Sequence, residues 1–226
     1  MSAVILLYGS RARGDNRVDS DIDIVVSEPE GGLKHPWHSA GLSVHFYPQK
    51  FLIDSAKNGD LFSGHLAYEA IAIYDDGGFL QALKQNFKLK ASYAIEKKVA
   101  ETTMRLLLSR DWQFSEQIRR RYFWALRTLG IASSAEKGKL GFSSEDIERE
   151  LGVTGTARHI NNRDSASYGE CWQFALRLFT EMGWSIRSNI EDDINFLTGS
   201  GPIGLNTVEM FETEILVEQS AFRLYE

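Results

Sequence analysis

The chain has 226 residues, 43% of them hydrophobic, and a formal net charge of −6. That length holds one large or two small domains with a real core, and the composition excludes a disordered or low-complexity chain. One cysteine, Cys171, excludes an internal disulfide and a cysteine-rich zinc site, and leaves a small buried hydrophobe as its expected role. The N-terminus shows no basic region followed by a leader-length apolar stretch, and no apolar run approaches a membrane span, so a soluble, cytoplasmic protein with no membrane partner is expected. The net charge does not favour nucleic acid as a partner. The acidity is concentrated at the end, where residues 189–226 hold one basic side chain and eight acidic ones.

In chain order, Val4 to Tyr8 is an apolar run of strand length that breaks at Gly9-Ser10. Asp21 to Val26 (DIDIVV) reads as a second strand, with Asp21 and Asp23 on one face and Ile22, Ile24 and Val26 on the other. Two neighbouring carboxylates repel unless a hard cation sits between them or one is protonated. A divalent ion, Mg²⁺ or Mn²⁺, is the simpler reading, with the Gly9-Ser10 turn and the charges of Arg11 and Arg13 available to phosphates. The alternative, two solvent-facing positions on a half-buried strand, does not explain the joint occurrence of Gly9-Ser10, Gly14, Ser20 and the acidic pair.

Those residues, Gly9-Ser10, Gly14 and Ser20-Asp21-Ile22-Asp23, resemble the signature of the polymerase β-type nucleotidyltransferase superfamily, near its minimal branch. The resemblance covers under a tenth of the chain. It implies that the Gly9-Ser10 turn binds the phosphates of a nucleoside triphosphate, beside which Arg11, Arg13 and Ser20 are the further candidate nucleotide-binding residues. It also implies that Asp21 and Asp23 hold the metal for transfer of a nucleoside monophosphate to an acceptor hydroxyl, with loss of pyrophosphate. A P-loop does not compete, because no Gly-Lys-Ser or Gly-Lys-Thr follows the turn.

Residues 27–41 carry Pro, paired Gly and Ser and read as a loop, with His35 and His38 incidental to it. Leu42 to Tyr47 alternates as a third strand, with Leu42, Val44 and Phe46 expected inward and Ser43, His45 and Tyr47 on the opposite face. The superfamily commonly places a third carboxylate there, on the strand beside the aspartate pair; this chain offers Ser43 and His45. His45 is therefore the candidate base, with Glu69 as the other candidate. Gln49 to Lys57 reads as a helix, and His65 to Tyr74 as a last strand carrying Glu69.

From Phe79 the period changes from two to about 3.6. Helices are expected over Phe79 to Phe87, Ser92 to Gln113 and Ser115 to Ala132, then through Leu151 and from Ser165 or Ser167 to Met182 with Tyr168, Trp172, Ala175, Leu176 and Phe179 inward. Residues 185–203 read as loop, and Asn206 with Glu209 as the start of a last helix whose stripe is Val208, Phe211, Ile215 and Phe222. Arg119 to Arg121 span too wide an arc of helix for all three to face one ligand, so a solvated face is the simpler reading.

The expected fold is α/β (α+β): a small mixed-sheet nucleotidyltransferase domain over residues 1–90, then an all-α helical bundle over 91–226 with an acidic last helix. This order resembles antibiotic-modifying nucleotidyltransferases, and also the pairing of such domains with HEPN-type bundles, whose arginine-to-histidine ribonuclease spacing is absent here. The acceptor, a small molecule, protein or RNA, and the oligomeric state stay open. The alternative to an enzyme is a non-catalytic triphosphate-binding module acting through a protein partner.

Overall fold

The computed structural model describes residues 2–18, 20–30, 34–109 and 115–223, with the side chains of 34–35 and 214–223 outside the description. It forms two compact units: residues 1–91 with 135–143, and residues 92–134 with 144–226.

The first unit is built on a five-stranded sheet, β1 (Val4–Tyr8), β2 (Ile22–Glu28), β3 (Lys34–Ser39), β4 (Leu42–Pro48) and β5 (Ile71–Tyr74), in the order β3-β4-β2-β1-β5. Only β2 and β4 pair in parallel; the other ladders are antiparallel. The one-turn helix α1 (Ser10–Arg13) follows β1, and the helices α2 (Gln49–Lys57), α3 (Leu61–Glu69) and α4 (Phe79–Asn86) belong to the same unit. Leu6 and Val25 on the sheet join Leu52, Ala56 and Leu66 of α2 and α3 and Leu83 of α4 in one core, all fully buried. Each of these valine and leucine side chains contributes roughly 1.5–3 kcal/mol.

The other face of the sheet carries the row Trp37, Val44, Ile24, Leu7 and Ile71, of which Trp37 and Ile71 are exposed. This reverses the expectation for β4. Ser43 is buried while Leu42 and Val44 are only half-buried, because the helices cover the face that carries the polar residues.

Two further expectations are corrected here. The expected loop 27–41 contains β3, which folds back on β4 through Ala40-Gly41, where φ is 33° and 80°. Pro36 is tolerated because β3 is an edge strand whose register shifts between Lys34 and Trp37. The side chain of His35 lies outside the description. Finally, His65 to Tyr74 is not one strand: Asp60 caps α3 by accepting from the Ser63 amide at 2.9 Å, and only Ile71–Tyr74 is extended. Glu69 is thus a helix residue.

The second unit is helical: α5 (Ala94–Leu107), α6 (Glu116–Glu136), α7 (Ser144–Leu151), α8 (Thr156–Asn161), α9 (Tyr168–Glu181), α10 (Ile190–Gly199) and α11 (Pro202–Arg223), the last two residues of α6 belonging to the first unit. Ile118, Tyr122, Ala125, Leu126 and Leu129, at helical spacing along α6, are all buried. Ser167 starts α9 with a capping box to Glu170. Within α9, Cys171 is buried, its thiol pushed up to about 12 by burial, and Leu176 is exposed, contrary to the inward stripe.

The expected loop 185–203 contains α10. Asn189 accepts from the Glu191 amide at 3.0 Å, three acidic residues occupy the first turn, and Leu197 is buried. Asp193 meets Arg105 of α5 at 2.6 Å, both buried, which explains an acid inside the bundle. The next helix starts at Pro202, so Asn206 is interior to α11; a proline at the first helical position forfeits no backbone hydrogen bond. Val208 and Phe211 are buried, whereas the side chains of Ile215 and Phe222, like residue 113, lie outside the description. Arg121 is half-buried, its basicity lowered to about 10 by burial; it donates from Nε to Thr207 Oγ1 at 2.8 Å and covers the Trp124 ring. It ties α6 to α11 and does not wait for a ligand. Among the described residues, no helix is long and apolar enough to cross a membrane.

Candidate active site

The site begins where β1 stops. Gly9 has φ 77° and ψ −157°, a conformation open in practice to glycine alone. A Cβ on it would meet Asp23 Oδ2 at 2.7 Å, so the Asp23 carboxylate lies against bare backbone. After Gly9 the chain turns once as α1, with the Ala12 and Arg13 amides donating to the Gly9 carbonyl at 3.0 and 3.1 Å.

The ladders fix what stands beside Asp23. Tyr8 is its partner on β1 and Ser43 its partner on β4, while His38 of β3 is in register with Ser43. Directly opposed residues project to the same side of a sheet, so Tyr8, Asp23, Ser43 and His38 form one row. Asp21, just ahead of β2, falls on the same side, with Oδ1 facing Gly41 and exposed to solvent. The Ile22 amide donates to the Gly41 carbonyl at 2.7 Å, tying the aspartate segment to the β3–β4 turn.

Ser43 Oγ lies 2.9 Å from His38 Nδ1 and 3.0 Å from His45 Nε2. His45 is half-buried, and its basicity is lowered by burial first and by His38 second. The Tyr8 hydroxyl is pushed well above its ordinary range by burial, then by the charge of Asp23. It stays a neutral phenol.

Among the basic residues, Arg11 donates from Nε and Nη2 to the Ser20 carbonyl at 3.1 and 2.7 Å. Arg13 donates from Nη1 to both Glu69 oxygens at 2.8 and 3.0 Å and from Nε to Asp15 at 2.9 Å. Glu69 also pairs with His65, which stacks on Phe142. Both arginines therefore brace the loop between β1 and β2. Ser20 Oγ accepts from the Arg17 amide at 2.9 Å, which closes the same loop. Glu69 is engaged by Arg13 and His65, which gives it a structural use in place of the missing carboxylate. Among the described residues, no three His, Cys, Asp or Glu side chains form a ready metal shell. A carboxylate over the bare Gly9 turn, with Asp21 on the same side of the sheet, suits Mg²⁺ or Mn²⁺, which take further oxygens from water and substrate phosphates.

Sequence reasoning missed His38 and Tyr8. A signal for His38 existed: Ala40-Gly41 is a two-residue turn between Ser39 and Leu42, and folding about it sets His38 opposite Ser43.

Residues 2–73 match the family model of the nucleotidyltransferase domain. With its glycine turn, paired aspartates and mixed sheet, the N-terminal unit is a nucleotidyltransferase domain of the polymerase β type. Among solved structures, the chain is similar to a nucleotidyltransferase-like protein from Exiguobacterium sibiricum 255-15, at 12% identity and a TM-score of 0.35, over 88% of this chain and 71% of that one. No curated protein matches it.

Proposed function

We propose that the protein transfers a nucleoside monophosphate from a nucleoside triphosphate to an acceptor hydroxyl, releasing pyrophosphate. In this reading residues 1–90, joined in their unit by 135–143, carry the chemistry, and the rest of 91–226 forms a helical domain that contributes to acceptor choice. The observation that carries the reading is the Asp23 carboxylate held against Gly9, in a position that admits no Cβ.

Asp21 and Asp23 would hold Mg²⁺ or Mn²⁺, which when bound neutralises phosphate charge and acidifies the attacking hydroxyl. Gly9 and Ser10 let phosphates approach the backbone. Arg11, Arg13 and Ser20 keep the loop in place around them, with the arginines adding positive charge. The acceptor proton leaves toward His45, whose burial keeps the imidazole neutral and able to receive it.

The test is transfer of α-phosphate label from each triphosphate, with Mg²⁺ or Mn²⁺, into the small-molecule, RNA and protein fractions of a cell lysate. Label is expected in one fraction, with loss of at least 100-fold in the Asp21→Asn/Asp23→Asn double variant, on the order of one or more lost electrostatic contacts. Absence of transfer with every triphosphate and metal, alongside calorimetric binding of the same triphosphate, would instead assign a non-catalytic binding module.

A further inference from the structure

The position opposite Asp23 on β4 holds a hydroxyl between two bases. Ser27 and Ser63, buried serines of the same unit, direct their hydroxyls to backbone carbonyls, Ser27 to Tyr47 at 2.9 Å and Ser63 to Leu52 at 3.4 Å. Ser43 instead has an imidazole nitrogen on either side, His38 Nδ1 at 2.9 Å and His45 Nε2 at 3.0 Å. A hydroxyl carries one proton, so whichever imidazole lacks a proton on the facing nitrogen receives it. A hydroxyl within hydrogen-bond reach of a base, with a second group orienting that arrangement, is the arrangement of an activated nucleophile. Its other neighbour is Asp23, one strand away, and adjacent strands lie about 4.8 Å apart.

We infer that Ser43 is itself an acceptor, so that the chain attaches a nucleoside monophosphate to its own Ser43 Oγ. The inference rests on the function proposed above and names a substrate for it. Ser43 Oγ attacks the α-phosphorus; the Oγ–phosphorus bond forms as the bond from the α-phosphorus to the oxygen bridging to the β-phosphate breaks. Pyrophosphate departs with that oxygen. The hydroxyl proton passes to His45 Nε2 or His38 Nδ1, and exposed His38 returns it to water. The product is a seryl phosphodiester; no oxidant, reductant or further reactant enters. Ser43 is 8% exposed, which restricts the reaction to a nucleotide already seated beside Asp23 and keeps bulk reagents away.

The experiment is incubation of the full chain with each of the four ribonucleoside triphosphates and Mg²⁺ or Mn²⁺, with no added acceptor, followed by intact-mass measurement and peptide mapping. A single nucleoside monophosphate adduct is expected on the peptide containing Ser43. It is absent from Ser43→Ala and from Asp21→Asn/Asp23→Asn, kept at residue 43 in Ser43→Thr, and formed at least tenfold more slowly in His45→Gln. Should Ser43→Ala fail to fold, the mapped site in the unaltered chain and in Ser43→Thr decides. An adduct on another residue overturns the inference. So does no adduct while label still reaches an acceptor in lysate, a result that leaves the proposed transfer standing. Absence of both overturns inference and transfer together.

Discussion

Gly9 is required twice, once by its backbone angles and once by the carboxylate above it. In Gly9→Ala the new Cβ starts 2.7 Å from Asp23 Oδ2, in a conformation that costs a non-glycine residue about 1–3 kcal/mol. We expect denaturant unfolding to show a loss of that size and label transfer to fall at least tenfold. Unchanged stability and transfer in this variant would mean that Gly9 and Asp23 are not in contact. At this scale the sequence is readable where a residue type has few uses: glycine turns and paired acids are distinctive, and the structure does bring Asp23 against Gly9. Arg11 and Arg13 were harder. Their charge suggested phosphate, and only the fold reveals that their donors go to Ser20, Asp15 and Glu69.

Elements were legible where period and punctuation agreed. Val4–Tyr8 stands where an apolar run broken at Gly9-Ser10 puts a strand, and Gln49–Lys57 is the helix expected after the third strand. Where they disagreed, tertiary contact decided: HLAYE alternates by letters yet is helix because Asp60 caps it, and Ile190–Gly199 hides in polar sequence because Asn189 caps it and Asp193 pairs with Arg105. The covered face of β4 could not be read at all, since alternation separates two faces without saying which one helices α2 and α3 will cover.

Two glycines in the helical unit test how elements meet. A Cβ on Gly204 of α11 would lie 2.1 Å from the Leu197 carbonyl oxygen of α10, a backbone atom that cannot rotate aside. Gly169 in the first turn of α9 has open space. Gly204→Ala should destabilise by about 1–3 kcal/mol and Gly169→Ala should stabilise by about 0.5 kcal/mol. Thermal unfolding of the two variants in parallel reads opposite signs; equal shifts would refute the close α10–α11 approach.

At the scale of the whole molecule, the first unit is not one continuous stretch. Residues 135–143 belong to it, and they bring Phe142 to stack on His65 at 4.3 Å and Leu140 to within 2.8 Å of where a Cβ on Gly64 would be. A fragment of residues 1–91 therefore leaves His65 and Gly64 uncovered beside the Arg13–Glu69 pair that braces the loop. Expressed alone, it is expected to unfold at a lower temperature than the same unit in the full chain, and to bind an apolar-surface dye. A fragment as stable as the intact unit, measured by circular dichroism, would show that residues 135–143 contribute nothing.

The interruption also imposes an order on synthesis. A ribosome adding about 5–20 residues per second releases the glycine turn and both aspartates early, but residues 135–143 follow only after α5 and most of α6. During that interval the nascent first unit lacks the segment that packs on α3. The first unit, begun in the first quarter of the chain, is thus completed only once the middle of the chain has been translated, so its folding cannot finish before α6 has emerged.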